Sequence, residues 1–373
     1  MSKRVFVLFG TRPEAIKLFP VVKELQAHSA AEAIVCVTAQ HREMLDQVLK
    51  LVNIIPDIDL DLMEKNQSLD KLSARILLSV GEALDRTRPD RVVVQGDTAT
   101  AMVGSLAAYY RRIPVSHVEA GLRSGNIYAP WPEEVNRKIV GSIADQHFAP
   151  TKLAAEVLLK ENVPPERVHV TGNTIVDALL ATREMIESDP AHASRWDDLK
   201  LRAGDRRIIL VTTHRRENFG GGMDRIADAL LTVLQRREDV MIVLPVHLNP
   251  NVRDVLEGRL AGHSRAEIIP PQEYAAFVGL LSLAHIVLTD SGGIQEEAPS
   301  LGKPVLVMRD TTERPEGVLA GTARLVGTDR DRIVSEIFSL LDEPNRYLEM
   351  SRAHNPFGDG HASKRIVKVM LDG

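Results

Sequence analysis

Acidic side chains follow several of the segments whose composition predicts β-strands. Asp97 comes after a run of valines, Glu119 ends the next strand-like segment two residues after His117, and Glu133 and Glu134 follow a Pro-Trp-Pro stretch. Carboxylates at the ends of parallel strands can remove or deliver protons and can stabilise a developing positive charge. The same acids also suit helix caps. Strand periodicity would put His117 and Glu119 on one face, where no third ligand completes a metal site.

Three predicted strand-to-helix junctions suit a phosphate group, because a helix start offers free backbone N–H groups and a positive dipole end. Residues 9–17 place an arginine and a lysine at the first junction, and residues 214–222 bring a histidine and two arginines to a glycine loop. Residues 290–297 begin with an Asp-Ser-Gly-Gly turn that lets the backbone approach a ligand closely. Together with the acids, these junctions fit cleavage of a sugar–diphosphate bond, which needs a base and stabilisation of the departing diphosphate.

Composition and missing motifs exclude several other functions. Neither a dinucleotide fingerprint nor a P-loop occurs, so nicotinamide and ATP chemistry are disfavoured and no cofactor is expected. The 46 basic and 51 acidic residues give a net charge of −5 without a basic run, which argues against nucleic-acid binding. Cys36 is the single cysteine, so a disulfide within the chain and a cysteine-based metal site are excluded. With no apolar run of membrane-spanning length and no signal-peptide pattern, we expect a cytoplasmic protein without membrane contact.

Short β-branched segments alternate with helical patterns along the chain, which predicts βαβ units and parallel sheets. Two such series occur, and 373 residues suffice for two domains. The predicted strands are Val5–Phe9, Ala33–Thr38, Arg91–Val94, Val115–Val118, His147–Ala149 and 168–172 in the first series, and Ile208–Thr212, Met241–Pro245, Ala266–Ile269, Ile286–Thr289, Pro304–Met308 and Ala323–Val326 in the second. We therefore expect an α/β protein with two Rossmann-like domains whose parallel sheets face a central cleft.

The boundary between the domains is expected within residues 170–205, where a helical pattern leads into a polar stretch. We assign residues 1–172 to the N-terminal domain and residues 173–355 to the C-terminal domain. Residues 356–373 form a short amphipathic tail helix, which the pattern by itself allows to pack on either domain.

Ten short motifs occur in a fixed order, and as a set they resemble the bacterial non-hydrolysing UDP-N-acetylglucosamine 2-epimerases. They lie at residues 10–17 (GTRPEAIK), 40–47 (QHREMLDQ), 96–98 (GDT), 117–123 (HVEAGLR), 130–134 (PWPEE), 171–173 (TGN), 214–217 (HRRE), 245–250 (PVHLNP), 290–297 (DSGGIQEE) and 312–316 (TERPE). The resemblance extends from Val5 to about Gly360 and rests on the ordered set, since each motif alone is too short to be specific.

The resemblance implies a glycosyltransferase-B-type architecture, usually a homodimer, in which the tail helix packs back on the N-terminal domain. It also implies reversible interconversion of UDP-N-acetylglucosamine and UDP-N-acetylmannosamine. In this family UDP leaves C1, a carboxylate removes the C2 proton to give a 2-acetamidoglucal, and a proton and UDP then return. The positions that match the catalytic centre are Lys17, Asp97, Glu119, Glu133 and His214. The positions that match UDP contacts are Arg12, Gln272, Phe277, Ser291, Gly292, Gly293, Glu297 and Arg314.

Some members of this family also bind a second UDP-N-acetylglucosamine as an activator. The matching positions are Gln40, Glu43, Glu134, Arg215 and His247. Glu43 is a glutamine in some regulated relatives, so its negative charge is expected to weaken such a site. The remaining alternatives are a hydrolysing 2-epimerase, a retaining glycosyltransferase of the same architecture and a non-catalytic nucleotide-sugar sensor. The reaction commonly supplies envelope or capsule polysaccharide synthesis.

Overall fold

The structure is a computed structural model that describes residues 2–39, 42–64, 67–213, 215, 218–246 and 250–372, the side chains of residues 250–252 excepted. The strands are β1 (Lys3–Phe9), β2 (Ala31–Val37), β3 (Ile58–Asp59), β4 (Arg91–Gln95), β5 (Val115–Val118), β6 (Gln146–Ala149), β7 (Val168–Val170), β8 (Arg207–Thr212), β9 (Val240–Pro245), β10 (Ala266–Ile269), β11 (Ile286–Thr289), β12 (Val305–Val307) and β13 (Ala323–Leu325). The helices are α1 (Arg12–Ala27), α2 (Arg42–Leu51), α3 (Leu69–Thr87), α4 (Ala99–Tyr110), α5 (Glu133–Ile143), α6 (Lys152–Lys160), α7 (Thr174–Ser188), α8 (Pro190–Ala193), α9 (Asp197–Ala203), α10 (Gly221–Arg236), α11 (Pro250–Leu260), α12 (Tyr274–Leu283), α13 (Gly292–Glu297), α14 (Pro315–Leu319), α15 (Arg330–Asp342), α16 (Pro344–Arg352) and α17 (Ala362–Asp372). Among these helices, none has both the length and the apolar composition that a membrane span requires.

The strands form two parallel sheets. One sheet has seven strands in the order β3-β2-β1-β4-β5-β6-β7, and the other has six in the order β10-β9-β8-β11-β12-β13. The predicted α/β class with two parallel-sheet domains is confirmed. In each sheet the chain builds one side outward from the centre and then returns to the centre to build the other side. The strand order therefore reverses between β1 and β4, and again between β8 and β11.

Unbroken burial explains why these segments form strands. All five residues of β4 and the last five residues of β1 are buried, as expected for parallel sheets that are covered on both faces. The predicted strands agree with the observed ones apart from their ends. The exception is β3, which the sequence pattern does not predict, because its two residues carry no apolar run and one of them is exposed.

Contacts within the chain divide it into two compact units. Unit 1 comprises Met1–Ala178 and Phe357–Gly373, and unit 2 comprises Leu179–Pro356. The predicted ranges placed the first boundary slightly earlier, at residues 172 and 173. Unit 1 extends into the first turn of α7, because a residue of this turn contacts the C-terminal helix of the chain.

Asp177 in α7 makes that contact with the start of α17. Its carboxylate accepts hydrogen bonds from the backbone N–H groups of Ala362 at 3.1 Å and of Ser363 at 2.8 Å, and from the Ser363 hydroxyl at 2.6 Å. These N–H groups have no partner within their own helix, so a carboxylate at this end caps α17. α17 also packs against α1. The tail helix thus belongs to unit 1.

The start of α1 is determined by a capping box between Thr11 and Glu14. The Thr11 hydroxyl accepts from the Glu14 backbone N–H at 3.5 Å, and the Glu14 carboxylate accepts from the Thr11 N–H at 2.8 Å. Pro13 lies in the first turn, where a missing N–H removes no helical hydrogen bond. This start sets the positions of Arg12 and Lys17 on the helix.

Candidate active site

In unit 1 the loops after β1 and β4 meet at the point where the strand order reverses, which is where open α/β sheets bind ligands. Glu14 joins the two loops. Its carboxylate accepts from Gly10 N–H at 3.0 Å and from the Thr98 hydroxyl at 2.6 Å. Burial raises the pKa of Glu14, and these hydrogen bonds oppose that rise. Glu14 therefore connects the junction at residues 9–17 to Thr98, the residue that follows Asp97.

Asp97 is held by two neighbouring residues of α5. The Asn136 side-chain amide donates to the Asp97 backbone carbonyl at 2.8 Å. The Arg137 guanidinium forms an ion pair with the Asp97 carboxylate, with 2.5 Å between Nη2 and Oδ2. The Asp97 side chain is 26% exposed, so it stays accessible at the carboxyl edge of the sheet.

Glu119 lies beside the Asp97 loop, because β4 and β5 pair and the Gly96 N–H donates to the Val118 carbonyl. Its carboxylate forms an ion pair with Lys17 and accepts from the Asn173 side-chain amide at 3.3 Å. Glu119 has a φ of +63°, which is strained for a residue with a side chain. β5 ends one residue earlier, so the expected alternation of strand faces does not extend to Glu119.

His117 holds the loop that carries Asp97 through a hydrogen bond and, among the residues that the structure describes, forms no metal site with Glu119. Its Nε2 atom lies 2.8 Å from the Gly96 carbonyl oxygen and donates a hydrogen bond to it. Burial lowers the pKa of His117 to about 3, so the imidazole is neutral near pH 7. Within the described residues, no cluster of three His, Cys, Asp or Glu side chains could hold a metal ion.

The neutral state of His117 makes the stability of unit 1 dependent on pH. The ordinary histidine pKa is 6.5, so the unfolded chain takes up a proton below that pH while folded His117 does not until about pH 3. Above pH 6.5 His117 is neutral in both the folded and the unfolded chain, so it does not lower the free energy of unfolding. As the pH falls from 6.5 toward 3, proton uptake by the unfolded chain lowers that free energy progressively. Between pH 7 and pH 5 this residue is expected to remove about 2 kcal/mol from the free energy of unfolding.

Urea unfolding at the two pH values tests this expectation. The wild-type protein should lose about 2 kcal/mol more than His117→Gln between pH 7 and pH 5. His28→Gln, at an exposed histidine of the same unit, is the control and should lose as much as the wild type. An equal loss in all three proteins would contradict a neutral buried His117.

Glu133 and Glu134 begin α5 but differ in their surroundings. Both oxygens of Glu134 accept backbone hydrogen bonds, from Ser124 at 2.9 Å and from Gly125 at 3.1 Å, and one also contacts Arg137 at 3.4 Å. Burial acts to raise the pKa of Glu134, but these amides and Arg137 together lower it. The Oε2 atom of Glu133 is buried and has no hydrogen-bond partner among the described residues. Glu133 is therefore the acid of this pair that has a carboxylate oxygen with unused hydrogen-bonding capacity.

In unit 2 the loops after β8 and β11 meet at the second reversal of strand order. Asp290 is fully buried there. Its carboxylate accepts from the Thr213 hydroxyl at 2.9 Å, the Arg215 backbone N–H at 2.9 Å and the Asn218 side-chain amide at 3.1 Å. The Asp290 carboxylate therefore connects the junction at residues 290–297 to Thr213, Arg215 and Asn218, which follow β8.

The junction at residues 290–297 contains the start of α13. Ser291 is the residue before the helix and its side chain makes no capping hydrogen bond, while Gly292 and Gly293 form the first turn. The Arg215 guanidinium lies near this turn, with Nη2 3.8 Å from the place that a Cβ on Gly292 would occupy. This part of unit 2 thus combines exposed glycine backbone with a positive charge, as an anion requires.

Two acids of α13, Glu297 and Glu296, bond to side chains beside this turn. Glu297 accepts from the Tyr274 hydroxyl at 3.1 Å, and burial together with the Glu297 charge raises the pKa of Tyr274. Glu296 is buried and forms an ion pair with Arg314. Tyr274 begins α12, and Phe277 lies on the same helix one turn later.

The structure brings Lys17 and Glu119 into direct contact, places the Asp97 loop beside Glu119 through the pairing of β4 with β5, and connects Glu133 to Asp97 through α5. Arg12 is the first residue of α1. Gln272 is partly exposed before α12, where its side chain bonds to Arg195 and to the backbone. Three predicted residues lie outside the described part of the chain, namely Gln40, His214 and His247.

The other residues predicted for an activator site have different environments. Glu43 is exposed in the first turn of α2. Glu134 is fully buried and bonded internally. Arg215 belongs to unit 2, beside Gly292.

Sequence reasoning missed Glu14, Arg137 and Asn173 as supports of the site. A signal exists for two of them. Glu14 stands three residues after Thr11, which is the spacing of a capping box. Arg137 stands one helical turn after Glu133 on the same side of α5. Nothing local indicates Asn173, because its contact with Glu119 depends on the tertiary fold.

Comparisons with known proteins agree with this architecture. The family model for UDP-N-acetylglucosamine 2-epimerase matches residues 23–371. The UDP-N-acetylglucosamine 2-epimerase of Escherichia coli strain K12 is 54% identical over 369 residues, which cover 98% of each chain. The crystal structure of the Neisseria meningitidis UDP-GlcNAc 2-epimerase bound to UDP-GlcNAc is 47% identical with a TM-score of 0.90, covering 99% of this chain and 100% of that one. The Methanocaldococcus jannaschii UDP-GlcNAc 2-epimerase in complex with UDP-GlcNAc and UDP is 31% identical with a TM-score of 0.81, over 99% of this chain and 100% of that one.

Two parallel α/β units with polar groups at both reversal points define the glycosyltransferase-B type of protein. The sequence matches extend over nearly the whole chain and narrow this class further. The chain belongs to the UDP-N-acetylglucosamine 2-epimerase family.

Proposed function

We propose that this protein interconverts UDP-N-acetylglucosamine and UDP-N-acetylmannosamine by inverting C2 without hydrolysing the nucleotide sugar. The observation that carries the proposal is the pairing of Asp97 with Arg137 and of Glu119 with Lys17 at adjacent strand ends. Each of these two carboxylates is held by a cation, and in the proposed reaction both act on the UDP-sugar. The Escherichia coli, Neisseria and Methanocaldococcus proteins described above are named UDP-N-acetylglucosamine or UDP-GlcNAc 2-epimerases.

Inversion at C2 by elimination and re-addition needs acidic side chains but no redox cofactor. The C2 proton of the substrate is not next to a carbonyl, so a base cannot remove it directly. Departure of UDP from C1 creates an oxocarbenium-like centre, which acidifies the C2 proton. A carboxylate then removes that proton and leaves a 2-acetamidoglucal, and protonation from the opposite face followed by return of UDP completes inversion. In this scheme Asp97, Glu119 and Glu133 share the proton transfer and the stabilisation of the positive centre.

Unit 2 is proposed to hold UDP. The turn at Ser291, Gly292 and Gly293 supplies backbone N–H groups, and Arg314 supplies a positive charge. Gln272, Phe277 and Glu297 are proposed to contact the uridine moiety. Arg12, Lys17 and His214 are proposed to stabilise the diphosphate as it leaves C1.

Exchange in deuterated water tests the reaction directly. The protein is incubated with UDP-N-acetylglucosamine in deuterium oxide and followed by proton NMR, with a sample without protein as the control. We expect both UDP-sugars to carry deuterium at C2, because the removed proton exchanges with solvent before a new one is delivered. Stoichiometric free UDP with N-acetylmannosamine would establish the hydrolysing type instead. Activity that needs an added acceptor would establish a glycosyltransferase, and binding without exchange would establish a sensor.

The remaining expectations stay predictions. These are a cytoplasmic homodimer, a second UDP-N-acetylglucosamine that acts as an activator, and a role in polysaccharide synthesis. We propose that residues 1–172 carry out the sugar chemistry and that residues 173–355 bind UDP. Residues 356–373 form the tail helix that packs on the N-terminal domain. Size-exclusion chromatography with light scattering measures the oligomeric state, and rates over a range of substrate concentration reveal an activator as a sigmoidal curve.

A further inference from the structure

Three residues of α5 within one turn of each other form a connected polar group. Asn136 donates to the backbone carbonyl of Asp97, and the next residue, Arg137, pairs with the Asp97 carboxylate. Arg137 is itself held by Glu134, which lies three residues earlier on the same helix. The backbone and the side chain of Asp97 are therefore both attached to one rigid element.

Glu134 anchors this group to the loop that follows Glu119. Its two oxygens accept the backbone N–H groups of Ser124 and Gly125, so α5 and residues 124–125 are joined by two charge-assisted hydrogen bonds. The Glu134 side chain is completely buried and the Arg137 side chain is 17% exposed. The orientation of Arg137 is thus fixed by contacts that are not part of the Asp97 site.

The position of the Asp97 carboxylate matters for the rate of the proposed reaction. The Arg137 and Asp97 side chains are only 17% and 26% exposed, so their ion pair is largely shielded from solvent. Moving a reacting group by about 1 Å can slow an enzyme by about 100-fold. An arginine that joins a reacting carboxylate to a rigid helix can therefore act on the rate by holding that carboxylate in its reacting position.

We propose that Arg137 is a positioning residue for the epimerisation, which holds the Asp97 carboxylate in place from α5 while Glu134 holds Arg137. Arg137 forms its ion pair with the Oδ2 atom of the Asp97 carboxylate, and the substrate would contact the other oxygen. This role rests on the proposed function, because it concerns the rate of that reaction. Nothing in the family motifs quoted above assigns a role to Arg137.

Replacing the arginine separates its role in the rate from its role in the fold. We expect Arg137→Gln to lower kcat by about 100-fold while KM and the affinity for UDP, measured by isothermal titration calorimetry, stay within about twofold. Arg137→Lys keeps one charged donor and should retain intermediate activity. Arg111→Gln is the matched control, because Arg111 also pairs with an aspartate of unit 1, Asp85, away from the site. The control should keep the wild-type kcat.

Chemical rescue adds a readout that a purely structural role would not change. Guanidinium ion, at concentrations well below those that unfold proteins, should raise the kcat of Arg137→Ala several-fold, whereas ammonium ion at the same concentration should not. Circular dichroism confirms that each variant is folded before its rate is measured. Wild-type kcat in Arg137→Gln, or failure of guanidinium to rescue the Ala variant, would overturn the positioning role. A wild-type protein that shows no epimerisation would overturn the proposed function and the role of Arg137 with it.

Discussion

Asp97→Asn is expected to lower kcat by about 1,000-fold while leaving the affinity for UDP unchanged. The amide has nearly the shape of the carboxylate, so it keeps the position after β4 and the Asn136 contact with the backbone. It cannot accept a proton at neutral pH, and it cannot stabilise a positive centre. UDP is proposed to bind to unit 2, so its affinity should not depend on this substitution. Steady-state rates and isothermal titration calorimetry with UDP measure the two quantities.

Asp90→Asn is the matched control for this substitution. Asp90 stands just before β4, whereas Asp97 stands just after it, and Asp90 accepts a hydrogen bond from the Arg4 backbone N–H at 2.7 Å. The control removes one negative charge from the opposite end of the same strand. It should keep the wild-type kcat. Full activity in Asp97→Asn would show that Asp97 takes no part in the chemistry.

Glu119→Gln is expected to lower kcat by a similar factor, about 1,000-fold. The Glu119 carboxylate is held between Lys17 and Asn173 at the edge of the sheet, and its side chain is only 8% exposed. The amide removes the negative charge and leaves the Lys17 ammonium without its counter-charge. Both changes act against proton removal and against stabilisation of the oxocarbenium-like centre. Fold should be preserved, because the change keeps the volume and the backbone of the residue.

The measurement combines turnover with the rate of deuterium exchange at C2. A large loss of both would place Glu119 at or before the proton transfer, as we expect. Glu161→Gln is the control, because Glu161 forms a bidentate pair with Arg123 in the same unit at 2.8 and 3.0 Å. Unchanged turnover in Glu119→Gln would remove Glu119 from the catalytic group.

The class of fold could be predicted because its signals are local. An unbroken apolar run such as β4 indicates a buried parallel strand, and the capping pair of Thr11 and Glu14 marks a helix start. The placement of Asp97 after a predicted strand followed from the same pattern. β3 shows the limit of such signals, since two residues are too few to carry a period.

The left-handed backbone of Glu119 could not be predicted from the strand that precedes it. Alternation along β5 predicts a shared face for His117 and Glu119, yet the strand ends between them. His117 donates to the Gly96 carbonyl, and Glu119 pairs with Lys17. These contacts come from the residue after β4 and from α1, and they decide the conformation more strongly than local preference does.

The sequence by itself determined the alternation of strands and helices, the two parallel sheets and the family, because apolar periodicity, caps and ordered motifs are written in neighbouring residues. The tertiary structure alone decided which residues meet. Lys17 reaches Glu119, Arg137 reaches Asp97, and Glu14 reaches Thr98 only because β1, β4 and β5 lie side by side in the sheet. Strand order depends on how the whole core packs, and local patterns carry no information about it. The acids and Lys17 were therefore evident from the sequence, whereas the pairing of Lys17 with Glu119 and the contacts of Asn136 and Asn173 became evident only in the fold.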